Sequence, residues 1–177
     1  MAEINFNQIS LKEYLDRTFI LSLLCDLSYN FYSNIYNLTL LPTILGSSLL
    51  TILNSSEISN DILKIINITI NGLNTVVLAL VNSYKLNDRI NAFKLYKVKY
   101  TKLNHLIESI INKNGEIDLN SIITEYDRLN EELVYQYPNH IKNKVISRYG
   151  GSRKLPNSLD LDYKTNVSQK VDIVNIV

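Results

Sequence analysis

Apolar residues recur at every fourth position from Leu11 through Leu15, Phe19 and Leu23 to Leu27, behind the capping-box pattern Ser10-Leu11-Lys12-Glu13. That spacing predicts an amphipathic helix that starts near Ser10. The pattern then changes kind. From Leu27 to Ser56 no side chain carries a charge, and the most apolar part lies between Tyr36 and Leu53. A second uncharged run extends from Ile65 to Tyr84, after Lys64 and before Lys85. A spanning helix needs about 20 apolar residues, with a range of about 17–25. Both runs meet it, and the short polar connection at 54–61 (NSSEISND) makes them a helical hairpin with spans at 36–53 and 65–84.

Beyond Leu86 the periodicity of an ordinary amphipathic helix returns. Ile90, Phe93, Tyr96, Tyr100, Leu103, Ile107 and Ile110 step by three or four, giving one continuous apolar stripe. The stripe breaks at Gly115 and resumes at Ile122, Tyr126, Leu129 and Leu133. A helical turn after Pro138 puts Ile141 and Val145 on one face. From Gly150 the composition is that of a linker, closing on the apolar stretch VSQKVDIVNIV. The predicted fold is all-α. It comprises an N-terminal amphipathic helix (1–28), a two-helix transmembrane hairpin (29–85), a cytosolic antiparallel helical pair (86–149) and an extended C-terminal tail (150–177).

Neither uncharged run shows the Lys- and Glu-rich stripe that a helix on the outside of a soluble domain presents to water. Tyr29, Phe31, Tyr32 and Tyr36 gather at the entrance of the first span, and Tyr84 with Lys85 closes the second, as interfacial anchors do. Glu57 and Asp61 lie in the connection, whereas Lys12 and Arg17 precede the hairpin and Lys85 and Arg89 follow it. The positive-inside rule then places both termini in the cytosol. The competing arrangement is a soluble all-α interaction protein whose apolar hairpin is buried by oligomerisation.

Each span carries one polar or small face. Asn67, Asn71 and Asn74 share a face of the second; Thr39, Thr43, Ser47 and Thr51, with Gly46 beside them, share one of the first. In hydrocarbon such groups seek partners and let backbones approach, so Asn67, Asn71, Asn74, Thr43, Gly46 and Ser47 are the expected helix-packing residues, or the lining of a pore in a homo-oligomer. The basic, tyrosine-rich stretch beyond the second span offers Lys85, Arg89, Lys94 and Lys97 to anionic lipid head groups.

Composition narrows the remaining chemistry. In 177 residues, 46% are apolar and 20% charged, with a net charge of +1, which gives no general attraction to nucleic acid. One cysteine, Cys25, excludes an internal disulfide and any multi-cysteine zinc site. His105 and His140 have no companions at ligand spacing, and no phosphate-binding loop or carboxylate dyad is present, so neither a metal, a cofactor nor catalysis is expected. The acidic, polar start MAEINFNQ does not read as a signal peptide, and Ala2 removes the myristoylation signal. Asn54 with Ser56 forms an acceptor sequon, too close to the bilayer for glycosylation to be expected.

The order of parts, and the stretch RINAFKLYKVKYTKLNHLIESI with Arg89, Ala92, Tyr96, Tyr100, Leu103 and Ile107, resembles the SLATT family over roughly positions 29–150. The resemblance implies a membrane hairpin followed at once by a cytosolic helical region, acting as a pore-forming effector in bacterial defence. Similar hairpins in large DNA viruses imply instead a component of a virion inner membrane. No nucleotide-sensing or nuclease domain accompanies the hairpin in these residues. The expected partners are the lipid bilayer, further copies of the chain, and a protein docked through the cytosolic helices or the tail.

Overall fold

A computed structural model describes residues 2–55, 60–113 and 119–159. The described residues are 89% helical, and no strand occurs among them. Among them five helices follow in order: α1 (Ala2–Asn54), α2 (Asn60–Ser83), α3 (Leu86–Lys113), α4 (Leu119–Glu132) and α5 (Asn139–Tyr149). Glu57, Gly115 and the apolar stretch at 167–177 lie outside the described residues.

The chain forms two compact units. One gathers 1–28 and 92–177, the other is 29–91. The first half of α1 therefore belongs to the helical body as one of its core helices. The expected separate helix starting at Ser10 is replaced by one helix that starts at Ala2 and continues to Asn54. No glycine or proline interrupts the sequence before Pro42, so nothing stops the helix after Leu27. With the chain already helical ahead of it, Ser10 has no free helix end to cap. Pro42 sits inside α1 without ending it, at the cost of the hydrogen bond its missing N–H would donate to Leu38.

The body packs four helices around a shared apolar centre. α3 contributes the stripe predicted for it, with Phe93, Tyr96, Tyr100, Leu103 and Ile107 all buried. Ile122, Tyr126 and Leu129 answer from α4, and Ile141, Val145 and Ile146 from α5, an 11-residue helix where a single turn was expected. On α1 the buried line is Leu11, Thr18, Leu21, Cys25 and Ser28, together with Ile20 and Leu24. Thr18 is tolerated there because its hydroxyl donates to the carbonyls of Tyr14 and Leu15 at 2.8 and 3.0 Å, and accepts from the Asn104 amide at 2.9 Å. Asn104 also donates to the Leu15 carbonyl at 2.8 Å, so a carboxamide joins α3 to α1 with its polar atoms paired.

Residues 150–159 belong to this body too. Leu155 and Leu159 are buried, at 3% and 1% exposure, so their linker-like composition does not make this stretch a free tail. Asp16 fastens it: one carboxylate oxygen accepts from the Arg153 guanidinium at 3.1 Å and the other from the Lys154 backbone N–H at 3.2 Å. The Arg153 guanidinium lies 4.2 Å from the centre of the Phe19 ring, whose edge contact with Tyr149 completes the clasp.

Candidate functional site: the apolar helical hairpin

The second unit pairs the later half of α1 with α2. The less exposed positions on α1 include Tyr32, Tyr36, Thr39, Thr43, Gly46, Leu50 and Leu53, alternating steps of four and three. On α2 they include Leu63, Asn67, Ile70, Asn74, Val77 and Val81, with the same alternation. This is the heptad seam of an antiparallel two-helix coil. Two side-chain hydrogen bonds fix its register: Asn67 Nδ2 to Asn54 Oδ1 at 3.0 Å and Asn74 Nδ2 to Ser47 Oγ at 3.1 Å. In both pairs the two residue numbers total 121, so the helices run past one another without slip. Beyond α2, at the start of α3, Arg89 Nη1 donates to Tyr32 Oη at 3.2 Å.

At Gly46 the α2 side chains press close against the α1 backbone. A Cβ added there would lie 3.1 Å from Ile70 Cγ2, inside ordinary contact distance. Thus Gly46, Asn67 and Asn74 act in the hairpin's own seam, Thr43 lies on it, and Ser47 accepts from Asn74 at its edge. Asn71 is exposed and stands outside the seam, although it shares a helix face with the other two asparagines in a simple wheel. Ser47 and Thr51 also drift off the seam, because a strict step of four advances 40° around the helix each time. Asn54, placed by its sequon in a loop, is instead the last residue of α1 and the hydrogen-bond partner of Asn67. The sequence reading missed Leu50, Leu53, Ile70, Val77 and Val81 as packing residues. Their signal was the seven-residue spacing of Thr39, Gly46 and Leu53, hidden by attention to the polar positions.

The hydroxyl groups look inward to their own helix. Thr39, Ser47, Ser48, Thr51 and Ser55 each donate to the carbonyl four residues earlier, at 2.7–3.1 Å, and Thr69 and Thr75 do the same on α2 at 2.9 and 2.8 Å. Such back-bonding removes the need for water or a partner helix.

Outside the seam the surface is mostly aliphatic. Leu38 is 75% exposed, Ile52 67%, Ile65 66% and Ile68 73%, with Leu41, Ile44, Leu45, Leu73 and Val76 also more than half exposed. Only 6% of the apolar stretch of either helix is buried. Both helices are long and apolar enough to cross a membrane. The 24 residues of α2 rise about 36 Å, against a hydrocarbon core of about 30 Å.

The polar end of the hairpin is built from aromatic and basic groups. Phe31 and Tyr32 meet edge to face at 5.2 Å, and the Arg89 guanidinium lies 5.4 Å from the Tyr32 ring centre. Arg89 Nε also donates to the Tyr84 carbonyl at 3.1 Å, across the turn that separates α2 from α3. Lys85 makes that turn with a positive φ of 49°. Of the four cations expected to meet head groups, Lys85 and Lys94 are exposed, Arg89 is engaged as described, and Lys97 holds Asp26 at 2.6 Å in the body.

The body carries a cleft of about 520 Å³ whose walls include Leu21, Tyr100, Tyr126, Asn130, Tyr135 and Tyr137. Burial raises the pKa values of the Tyr100, Tyr126 and Tyr137 phenols above the ordinary range, and Tyr100 donates to Asn130 Oδ1 at 2.9 Å. These phenols stay protonated at neutral pH, so the cleft offers ring faces and hydrogen-bond donors. His105 lies 3.7 Å from Glu108, and no three His, Cys, Asp or Glu side chains come together as a metal site among the described residues.

No known family, curated protein or solved structure matches the chain.

Proposed function

We propose that this chain is a two-span integral membrane protein in which the hairpin of α1 and α2 is the anchor and the four-helix body is a cytosolic platform for protein partners. The observation that carries the reading is the exterior of the hairpin. Large aliphatic side chains cover most of it away from the seam, while its hydroxyls bond to their own backbone. Water would penalise the first feature and does not require the second; hydrocarbon favours both. The distribution of charge supports cytosolic termini, since Lys12, Arg17, Lys85 and Arg89 flank the hairpin and Glu57 and Asp61 lie in its connection. The succession of hairpin and helical body keeps the SLATT-like architecture within this proposal, with a scaffold role favoured because the seam consumes most of the polar groups a pore would display.

Alkaline carbonate extraction of membranes from cells expressing the full chain tests the anchor. Retention in the pellet, with flotation alongside lipid in a density gradient, is expected. Release into the supernatant as a single protomer would remove the membrane reading.

A further inference from the structure

Asn71 and Gly72 lie at the middle of α2 and within about one turn of the middle of the uncharged run at 65–84. On the membrane reading proposed above, on which this inference rests, that level is well inside the hydrocarbon, where an unsatisfied polar group is costly. The hairpin satisfies Asn67 through Asn54 and Asn74 through Ser47. It leaves the Asn71 carboxamide exposed, and that side chain enters no hydrogen bond among the described residues. Beside it Gly72 is bare backbone: a Cβ added there meets nothing within 4 Å. Thr75 and Ala79, exposed on the following turns of the same flank, are small, and the Thr75 hydroxyl is already bonded to the Asn71 carbonyl at 2.8 Å.

We infer that this flank of α2 is a contact site for the same flank of a second copy of this chain, with the two Asn71 side chains bonded to each other across it. A carboxamide carries both a donor and an acceptor and is its own complement. A twofold axis beside Asn71 brings two of them to one depth automatically, because an isologous contact presents the same patch from both sides. Lipid tails supply no such partner, and Gly72 lets the two backbones approach closely enough for short side chains to meet. The seam inside one hairpin and the contact between hairpins thus divide the three asparagines between them.

The test uses the full chain reconstituted in phosphatidylcholine vesicles, with donor and acceptor dyes on the amino termini of separate preparations. Energy transfer between copies is expected for the wild type. Asn71→Leu should weaken association about 3- to 30-fold, the range for one interhelical polar contact in a bilayer, and Asn71→Gln should retain it. In a Cys25→Ala background, Thr75→Cys should give disulfide-linked dimers under mild oxidation, and Leu80→Cys, on the opposite flank of α2, should not. Wild-type protein that remains in the vesicles without energy transfer would overturn the contact, as would unchanged association of Asn71→Leu. Labelling of Thr75→Cys by a membrane-impermeant thiol reagent would put water on this flank and also overturn it. Release of the wild type from membranes by carbonate is the separate result that defeats the anchor itself.

Discussion

The helical body and the hairpin share one construction principle and apply it in opposite senses. In the body, apolar side chains such as Phe93 and Tyr100 are withdrawn completely, and charged groups form the exterior: Lys99 holds Glu132 at 2.9 Å, and Arg128 bridges Glu125 and Glu132. In the hairpin most polar groups occupy the seam or turn to their own backbone, Asn71 being an exception, and aliphatic groups form most of the exterior. The same α1 takes part in both, with a dry interior face in its first half and a largely aliphatic exterior in its second. Helix formation does not distinguish the two environments. The placement of polar side chains does.

The largest effect should come from the core of the body. Phe93→Ala removes a fully buried ring and should destabilise the body by about 3–5 kcal/mol. Thermal unfolding in detergent should show this as an early loss of the body's tyrosine signal, with the α1–α2 hairpin remaining helical. A change confined to the noise would mean that Phe93 is not a core residue. Leu73→Arg probes the opposite exterior. Leu73 is 62% exposed near the middle of α2, so in water the substitution should be within about 0.5 kcal/mol of neutral. In a bilayer it should cost about 2.5–3.5 kcal/mol of insertion. A clear rise in the carbonate-extractable fraction separates these outcomes.

A seam substitution should have an intermediate effect. Gly46→Val drives branched carbon atoms toward Ile70 and should cost about 1–3 kcal/mol of hairpin pairing. Disulfide formation between Ser47→Cys and Asn74→Cys, which replace a 3.1 Å hydrogen-bonded pair, would report the loss as a lower yield. Undiminished yield would show that the seam has room for a side chain at that level. Asp16→Ala should be milder still, about 1 kcal/mol or less for a half-exposed ion pair. Its measurable consequence is faster tryptic cleavage after Arg153 and Lys154 as the clasp on α1 loosens.

Acidification should give the smallest change. Hydrogen bonding from Arg128 lowers the pKa of Glu125, and hydrogen bonding from Lys99 lowers that of Glu132, both below 4.5. A carboxylate whose folded pKa is depressed stabilises the fold fully above its unfolded pKa, and loses that contribution as pH falls through the folded value. Stability of the body should therefore decline slightly below about pH 4.5. Glu132→Gln should flatten part of that decline in thermal melts taken across the acid range.

The regions differ in how much of them was legible beforehand. The α3 stripe was legible position by position, because Phe93, Tyr96, Tyr100, Leu103 and Ile107 are bulky, mostly apolar and spaced by three or four. The first half of α1 was not. Its apolar residues at steps of four suggested one stripe, whereas the buried line passes through Thr18, which bonds to backbone carbonyls, Cys25, whose Sγ lies 3.5 Å from Tyr137 Oη, and Ser28, whose buried hydroxyl has no hydrogen-bond partner among the described residues. In the hairpin the asparagines were recognised as contact residues, but their division was hidden. Asn67 and Asn74, seven residues apart, return to the seam, while Asn71 lies about 40° around the helix from Asn67 and reaches the exterior. Pairing within the hairpin depends on a register that no single helix encodes.

By itself the sequence determined the helices and the absence of charge that makes two of them fit for hydrocarbon, since both follow from periodicity and residue type along one strand of chain. Only the tertiary structure decided that α1 joins the body as well as the hairpin, that residues 150–159 fold back onto Asp16, and which asparagines meet a partner. Those outcomes depend on which residues, distant in sequence, occupy the same level when helices pack, and local propensity carries no information about that.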